Sequence, residues 1–235
     1  MRISADLCRY LSALIGLISI NQCFHKMINS KCKICRRLGI KLFLKGERCL
    51  SPKCPMVKRP YPPGQRRKKP VRSSSEYGKE LREKQKLKNW YNLRERQFRK
   101  YVREVLEKRG KVEDAPTLLI RILESRLDNV IFKLGFSSSR AKAKQLVSHG
   151  HFLVNNKSVD IPSYQVKKGD KILLKPNSRK KNNFQNLSTI LKKYQPPSWL
   201  SLDSEKLEGE VMGEPSLDEA APPTKISSIF EFYSK

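Results

Sequence analysis

The sequence predicts an α+β protein that is mainly helical in its first half and adds a few short strands later. Residues 94–109 have apolar side chains three and four positions apart, which is the helical period. Residues 124–175 change to short apolar runs separated by Asn- and Gly-containing turns, which indicates small strands. Four cysteines precede both regions, in a stretch with too few apolar residues to form its own core.

The net charge indicates a polyanionic partner. The 235 residues include 50 Lys and Arg against 22 Asp and Glu, a formal net charge of +28. An ordinary soluble enzyme has no use for that excess, whereas nucleic acid attracts it, and an anionic membrane surface is the weaker alternative. The stretch 203–219 is acidic instead, so we do not expect it to face the polyanion.

The first 27 residues are expected to lie outside the core. Their apolar run, 11-LSALIGLISI-20, is too short to cross a bilayer. Arg2 precedes it as in a signal peptide, but no small-x-small cleavage site follows. We expect a dispensable extension with Met27 as a candidate start; a docking helix and a targeting segment are the alternatives.

A Pro-rich basic linker is predicted at 59–72, because proline prevents a helix there. Helices are predicted after this linker. Ser73–Ser75 offer a cap for a helix at roughly Glu76–Trp90, which Asn92 would end in the left-handed conformation. Two more helices are predicted, at about 94–109 and from Asp114 onward.

The small strands are predicted to follow a pair of short helices. The first helix spans Arg126–Leu134, and Ser137 or Ser138 caps the second, which ends at Ser148. The strands are Phe152–Val154, a return at Val159-Asp160, and Lys171–Lys175. Asn155-Asn156 is a tight primed turn. Residues 177–193 are expected to be basic and then helical, and 195–225 mostly irregular.

The cysteine spacing predicts a structural zinc site. The pattern Cys32-x2-Cys35-x13-Cys49-x4-Cys54 supplies two thiol pairs that can complete a tetrahedron around Zn²⁺. A redox role lacks the βαβ context that it needs, and an iron–sulfur cluster or incidental use is the remaining alternative. Cys8 and Cys23 have no partner spacing.

The helix predicted after residue 137 combines a basic face with a candidate anion site. Helical spacing predicts that Arg140 and Lys144 point outward together, and free N–H groups at a helix start suit a phosphate. His149 and His151 flank Gly150 beside this helix, so contact with RNA is as plausible for them as a structural role.

Several motifs in order resemble one family, the bacterial small-subunit ribosomal protein S-four family, in its four-cysteine, zinc-type form. The closest likeness lies in RLDNVIFKLGF, SRAKAKQLVSHGHFLVNNKSVDIPSY and VKKGDKI. It extends upstream through the cysteines, KRPYPPGQ, SEYGKELREKQK and RERQFRKY, and downstream through PPSWLSLD to EFYSK. The resemblance covers about 28–235. The extension 1–27 departs from the family pattern, and Arg66-Arg67 stand where the family often has His-Gly.

The resemblance implies a domain organisation that periodicity does not give. It comprises an extension at 1–27, a zinc-binding helical domain at 28–120, an inserted α+β RNA-binding module at 121–190, and a C-terminal segment at 191–235 that packs back on the helical domain. It also implies a non-enzymatic, cytoplasmic ribosomal constituent that binds small-subunit rRNA early in assembly. The implied neighbours are protein S-five and mRNA near its entry site, with an influence on decoding accuracy and, in some bacteria, repression of the protein's own messenger.

Candidate RNA contacts are the basic, aromatic and amide side chains in these matching regions. Near the cysteines they are Arg36, Arg37, Lys45, Arg48, Lys58, Arg59, Tyr61, Gln65, Arg66 and Arg67. In the helices they are Lys84, Lys86, Arg94, Arg96 and Arg99, and in the module Arg140, Lys144, His149 and His151.

Two other functions remain open at this point. An RNA-modifying enzyme or a ribosome quality-control factor can include the same small module. Pseudouridine synthases, however, need a catalytic Asp in a larger sheet domain, and Asp128, Asp160 and Asp170 all lie within the module. A metal-dependent DNA-binding protein would need a clear recognition helix with dimer symmetry, which the sequence lacks.

Overall fold

The computed structural model describes residues 31–64, 75–108, 114–181 and 184–234. The predicted extension at 1–27 and the candidate contacts Gln65, Arg66 and Arg67 lie outside these ranges. Within them, none of the helices combines the length and the apolar character needed to cross a bilayer.

Helices and short antiparallel strands alternate along the described residues. In chain order they are α1 (31–38), α2 (Glu47–Leu50), α3 (Pro55–Lys58), α4 (Glu76–Trp90), α5 (Glu95–Glu107), α6 (Ala115–Glu124), α7 (Leu127–Lys133), α8 (Arg140–Ser148), β1 (Phe152–Val154), β2 (Lys157–Ser158), β3 (Lys171–Leu174), α9 (Pro176–Arg179), α10 (Leu187–Leu191), β4 (Leu200–Asp203), β5 (Glu208–Val211), α11 (Leu217–Ala220) and α12 (Ser227–Ser234).

Helices α4, α5, α6, α11 and α12 form a helical domain with its own core. The predicted bounds of α4 are confirmed, because Ser75 accepts a hydrogen bond from the Gly78 N–H and Asn92 takes a positive φ of 54° after the helix. The apolar stripe of α5, including Phe98 and Val102, packs with Leu119 of α6 and Ile229 of α12. The last residues of the chain therefore complete the core that the first helices begin.

Elements α7 to β5 form what we call the small module, residues 125–211. Its sheet has the order β2-β1-β3-β5-β4, and every neighbouring pair is antiparallel. Asn155 and Asn156 have φ values of 48° and 65°, which confirms the primed turn between β1 and β2. Helices α7 and α8 cover one face of the sheet through Ile131, Leu146 and Phe152.

The structure differs from the sequence expectation in the last forty or so residues. Residues 200–211, expected to be irregular, form the β4–β5 hairpin, and β5 extends the sheet by pairing with β3. Only α11 and α12 return to the helical domain, rather than all of 191–235. The reason is burial: Trp199, Leu200 and Val211 lie in the core of the small module.

Two smaller details of the module also differ from expectation. The cap of α8 is Ser139, whose hydroxyl accepts a hydrogen bond from the Lys142 N–H, instead of Ser137 or Ser138. The returning strand β2 starts directly after the asparagine turn and not at Val159.

Candidate nucleic-acid interface and thiol cluster

We call residues 31–64 the cysteine segment. Its four cysteines line one shared cavity. Helix α1 supplies Cys32 and Cys35, α2 supplies Cys49, and Cys54 directly precedes α3. All four are free thiols, and all except the half-buried Cys32 are buried. The fold thus brings together two thiol pairs that a loop separates in the sequence.

Burial and neighbouring thiols raise the pKa of two of the cysteines, Cys35 and Cys49. Burial raises the pKa of Cys35, a hydrogen bond from the Leu42 backbone lowers it, and the other three cysteines raise it further. Burial also raises the pKa of Cys49, which the Lys45 backbone opposes and Cys54 and Cys32 reinforce. Thiolates in this cavity would repel one another unless a cation offset their charge.

The four thiols are not arranged as a complete set of metal ligands. Across the four described ranges, no group of three or more His, Cys, Asp or Glu side chains is arranged to hold a metal ion. The donor chemistry nevertheless fits zinc, since four thiols share a wall and backbone groups of Leu42 and Lys45 hydrogen-bond to two of them.

The cysteine segment touches the small module directly. Gly46 has a φ of 61°, and a Cβ added there would overlap the backbone carbonyl of Ser138, just before α8. A second cavity is lined by Leu42 and Phe43 of the segment, by Trp90 of the helical domain and by Arg140 of the module. All three parts of the molecule meet at this place.

The predicted outward orientation of Arg140 is wrong. Its guanidinium carbon lies 4.1 Å from the ring centroid of Trp90, 5.1 Å from Tyr91 and 4.7 Å from Phe132. The Nε–H donates to Asn129 Oδ1 at 2.7 Å. Helical periodicity could not reveal this, because the aromatic partners belong to elements distant in the sequence.

Two candidate contacts in α4 are engaged within the protein. Lys84 is buried, donates to Glu95 Oε1 at 2.7 Å, and lies 4.3 Å from the Phe232 ring centroid. Lys86 is half-buried and pairs with Glu83. Lys84 therefore joins α4 to the start of α5 and to the C-terminal helix, and a direct contact with RNA would break these bonds.

Arg36 and Tyr61 form an internal pair near the cysteines. The Arg36 Nε–H donates to the Tyr61 carbonyl at 2.9 Å, and its guanidinium carbon lies 5.1 Å from the Tyr61 ring centroid. This pair ties the end of the described segment back onto α1. Both side chains are half-buried, so each retains an exposed edge.

Most of the remaining candidate contacts have exposed side chains, which lie on all three parts of the molecule. These exposed residues are Arg37, Arg48, Lys58, Arg59, Arg94, Arg96, Arg99 and His149. Lys45 is half-buried.

Lys144 is half-buried in α8, near charged groups of both the module and the helical domain. Burial lowers the pKa of Lys144; Asp128 opposes this, and the positive charges of Arg126 and Arg94 lower the pKa further. Arg94 precedes α5 of the helical domain and Lys144 lies in α8 of the module, so the two parts each bring a positive charge to their boundary. We call the pair Arg94 and Lys144 the junction face.

The two histidines differ in their surroundings. His151 is buried, its Nδ1 lies 2.9 Å from Ser178 Oγ, and its ring packs edge-on against Phe184. Burial lowers the pKa of His151, and the charges of Lys181, His149 and Lys175 lower it further. His151 is therefore structural, while the exposed His149 stacks on it with ring centroids 6.1 Å apart.

Arg126, which the sequence does not single out, is a fully buried cation at the boundary between the helical domain and the small module. It donates to both carboxylate oxygens of Asp128, at 3.1 and 2.7 Å, and to the Tyr101 hydroxyl at 2.6 Å. Tyr101 belongs to α5, so this network also fastens the two parts together. The Arg-x-Asp pattern after a helix was the available signal, but it gives no hint of the tyrosine.

Comparisons with known proteins agree with this architecture. A family model described as "Ribosomal protein S4/S9 N-terminal domain" matches residues 26–124, and one described as "S4 domain" matches residues 125–172. The chain is 45% identical to the small ribosomal subunit protein uS4 of Thermus thermophilus, over 89% of this chain and 99% of that protein. It is 48% identical to the uS4 of Caldicellulosiruptor saccharolyticus, with the same coverage.

A third relative, the uS4 of Natranaerobius thermophilus, is 44% identical over 87% of this chain and 96% of its own length. The matches confirm the predicted resemblance to this ribosomal protein family, although not its zinc-type form, and the prediction of a ribosomal constituent instead of an enzyme. The chain belongs to the uS4 family of small ribosomal subunit proteins.

Proposed function

We propose that the chain binds small-subunit rRNA directly, early in assembly, through the cysteine segment, the helical domain and the small module together. The single observation that most supports this is the match to uS4 proteins over 89% of the chain, in a sequence with a formal net charge of +28. The junction face adds positive charge from both the helical domain and the module, which a bound polyanion would offset.

The mechanism is recognition of a folded RNA by shape. RNA junctions present phosphates and 2′-hydroxyl groups, and proteins recognise their arrangement largely without base contacts. The exposed Arg37, Arg96 and Arg99 supply phosphate contacts on two further faces. In the same proposal, protein S-five is a neighbour and mRNA passes near its entry site, as the family resemblance implies.

Chemical footprinting of small-subunit rRNA tests this function. Purified protein should protect a multi-helix junction, and Arg94→Gln/Lys144→Gln should reduce that protection. The matched control is Lys108→Gln/Lys171→Gln, which removes two exposed lysines whose charges are balanced by Glu104 and Glu210. Absence of protection by the unaltered protein, or equal losses in both double variants, would contradict the proposal.

We also propose that Cys32, Cys35, Cys49 and Cys54 bind one structural Zn²⁺. The support is the shared cavity, the mutual influence of the thiols and the backbone hydrogen bonds to Cys35 and Cys49. When bound, zinc would supply ligand bonds that replace a hydrophobic core. Basic neighbours such as Arg37 and Arg48 offset the negative charge of a tetrathiolate site.

Metal analysis of the purified protein tests the zinc proposal. We expect one zinc per chain, loss of the metal in Cys35→Ser, and retention in Cys23→Ser, the matched control outside the four ligands. Visible absorption and iron content would instead indicate an iron–sulfur cluster. A folded, metal-free segment with four reactive thiols would overturn the proposal.

A further inference from the structure

We propose that Arg140 is a positioning residue that fixes the small module against the helical domain, and that it acts on RNA binding through this fixed orientation without contacting a phosphate. The inference rests on the proposed rRNA binding. It assigns a role to a cation that the sequence pattern alone places on the RNA-facing side of α8.

The guanidinium lies in an aromatic enclosure built by two parts of the protein. Trp90 and the adjacent Tyr91 come from the end of α4, and Phe132 comes from α7. A planar cation over several ring faces is attracted by their quadrupoles, and more strongly when water is excluded. Arg140 therefore holds an edge of the module against the end of a helix in the other domain.

Hydrogen bonds complete the junction around the same cation. Arg140 donates to Asn129 Oδ1, and the Asn129 amide donates to Glu124 Oε2 at 2.6 Å. The buried Tyr91 hydroxyl donates to the other oxygen of Glu124, also at 2.6 Å. The chain of bonds runs from α8 through α7 to the end of α6 and back to α4, so it crosses the boundary between the domains.

The surroundings of Arg140 are unfavourable for binding a phosphate. Burial lowers the pKa of its guanidinium, and Tyr91, Glu124 and Asp128 oppose that effect. A phosphate would have to compete for a guanidinium whose Nε–H already donates to Asn129 and whose carbon lies within 5.1 Å of three ring centroids. The neighbouring Lys142, which is exposed on the same helix, has no such restraint.

A fixed orientation matters because a folded RNA is bound at several points. If the module were free to rotate, aligning Arg94 with Lys144 would cost conformational entropy on every binding event. Preorganisation removes this cost, so the junction would increase affinity without adding any contact to the RNA. Arginine suits the role better than lysine because its planar group both stacks and donates in a fixed direction.

The test compares Arg140→Lys with the control Lys142→Gln by rRNA binding at several salt concentrations. Arg140→Lys loses the planar group that stacks on the rings, so we expect binding to weaken by roughly five- to thirtyfold. Because this variant keeps the charge, the dependence of affinity on salt should not change. Loss of a true phosphate contact instead flattens the slope of log affinity against log salt by roughly 0.7–0.9. Full affinity in Arg140→Lys together with a flatter slope in Arg140→Gln would overturn the inference.

A distance measurement separates positioning from simple stabilisation. Spin labels attached to genetically encoded residues at the exposed Lys100 and Lys157 report the separation of the helical domain and the module. We expect a broader distance distribution in folded Arg140→Lys than in the unaltered protein. A distribution as narrow as that of the unaltered protein would refute the positioning role.

The variant Phe132→Leu provides a second test that does not depend on the folding of the arginine variants. It removes one ring of the enclosure and no charge, so it should broaden the distances and weaken binding without altering the salt slope. Unchanged binding and distances in Phe132→Leu would count against the inference. The distances do not depend on RNA, so failure of the unaltered protein to bind rRNA would refute the proposed function and leave the test of Arg140 valid.

Discussion

The cysteine segment and the small module hold their shapes by different physical means. Within residues 31–64, the buried side chains are Leu42 and three cysteines. The module instead buries a continuous apolar cluster that includes Phe136, Phe152 and Trp199. Each fully buried Leu, Ile, Val or Phe contributes about 1.5–3 kcal/mol, so the module has a source of stability that the segment lacks.

A basic surface can therefore be held in place either by a hydrophobic core or by another constraint. The module can present Lys144 because a hydrophobic core fixes its helices, whereas Arg37 and Arg48 need some other constraint. We expect coordination of a metal to supply it. Three perturbations, in order of decreasing effect, test this difference, and a fourth, with the smallest effect, tests the helical domain.

Metal removal should give the largest effect. Under strong chelation, amide hydrogen exchange across residues 31–64 should approach unfolded rates, because the bonds to the proposed zinc would be the main constraint there. Exchange in β1 and β3 should stay slow, since their protection comes from the apolar core. Equal protection of the segment with and without chelator would show that the two regions are stabilised alike.

Truncation in the module core should give the next largest effect. Leu134 is fully buried and packs so closely on Gly209 of β5 that a Cβ there would overlap it. Leu134→Ala should lower the free energy of unfolding by about 2–5 kcal/mol in chemical denaturation. Ile190→Ala is the control, because Ile190 is 54% exposed, and it should change stability by less than about 0.5 kcal/mol. Similar losses in both variants would contradict the assigned core.

Adding a methyl group where the segment meets the module should have a smaller effect. Gly46→Ala introduces an overlap with Ser138, so proteolysis of the segment should accelerate, consistent with a cost of about 1–3 kcal/mol. Gly39→Ala is a matched control, because Gly39 also has a positive φ, 74°, but open space beside it. If the two variants were cleaved at the same rate, backbone strain alone would explain the result and the contact would be irrelevant.

The smallest effect is electrostatic and lies in the helical domain. Burial raises the pKa of Glu95, but hydrogen bonds from Lys84, Lys88 and Tyr233 outweigh it and lower that pKa from 4.5 to about 2. A depressed carboxyl pKa stabilises the fold above pH 4.5, and the contribution is lost as the pH falls toward 2. Because Glu95 is partly exposed, solvent screening keeps this contribution small.

Glu95→Gln should therefore lower stability at neutral pH and flatten its pH dependence between about pH 4.5 and 2 in thermal unfolding. Glu107→Gln, an exposed carboxylate at the end of the same helix, is the control. Identical pH profiles for Glu95→Gln and the unaltered protein would mean that this network does not stabilise the C-terminal helix.

Local signals predicted much of the fold. Ser75 and Asn92 set the bounds of α4, and the double asparagine set the β1–β2 turn, because caps and turns depend on adjacent residues. The β4–β5 hairpin was missed because Asp203, Glu208 and Glu210 obscure an alternation whose buried partners are Leu200, Gly209 and Val211. Acidic residues on the outer positions made a strand resemble a solvated loop.

The candidate site was less predictable for a related reason. Arg94 and Arg140 look alike in the sequence, yet one is exposed and the other is enclosed by three rings. Only the contacts of Arg140 with Trp90 and Tyr91, at the end of α4, and with Phe132 of α7 decide between them. The same applies to Lys84, whose partners Glu95 and Phe232 lie in two other helices.

The most direct test of the central claim, that the described cationic faces together bind folded rRNA, is the salt dependence of affinity for the small-subunit rRNA junction. With some 6–10 phosphates neutralised, affinity should fall roughly 10³–10⁵-fold between 50 and 200 mM salt. The module and the helical domain should contribute to one slope, which the Arg94→Gln/Lys144→Gln variant makes shallower. An affinity that does not change with salt would contradict the account.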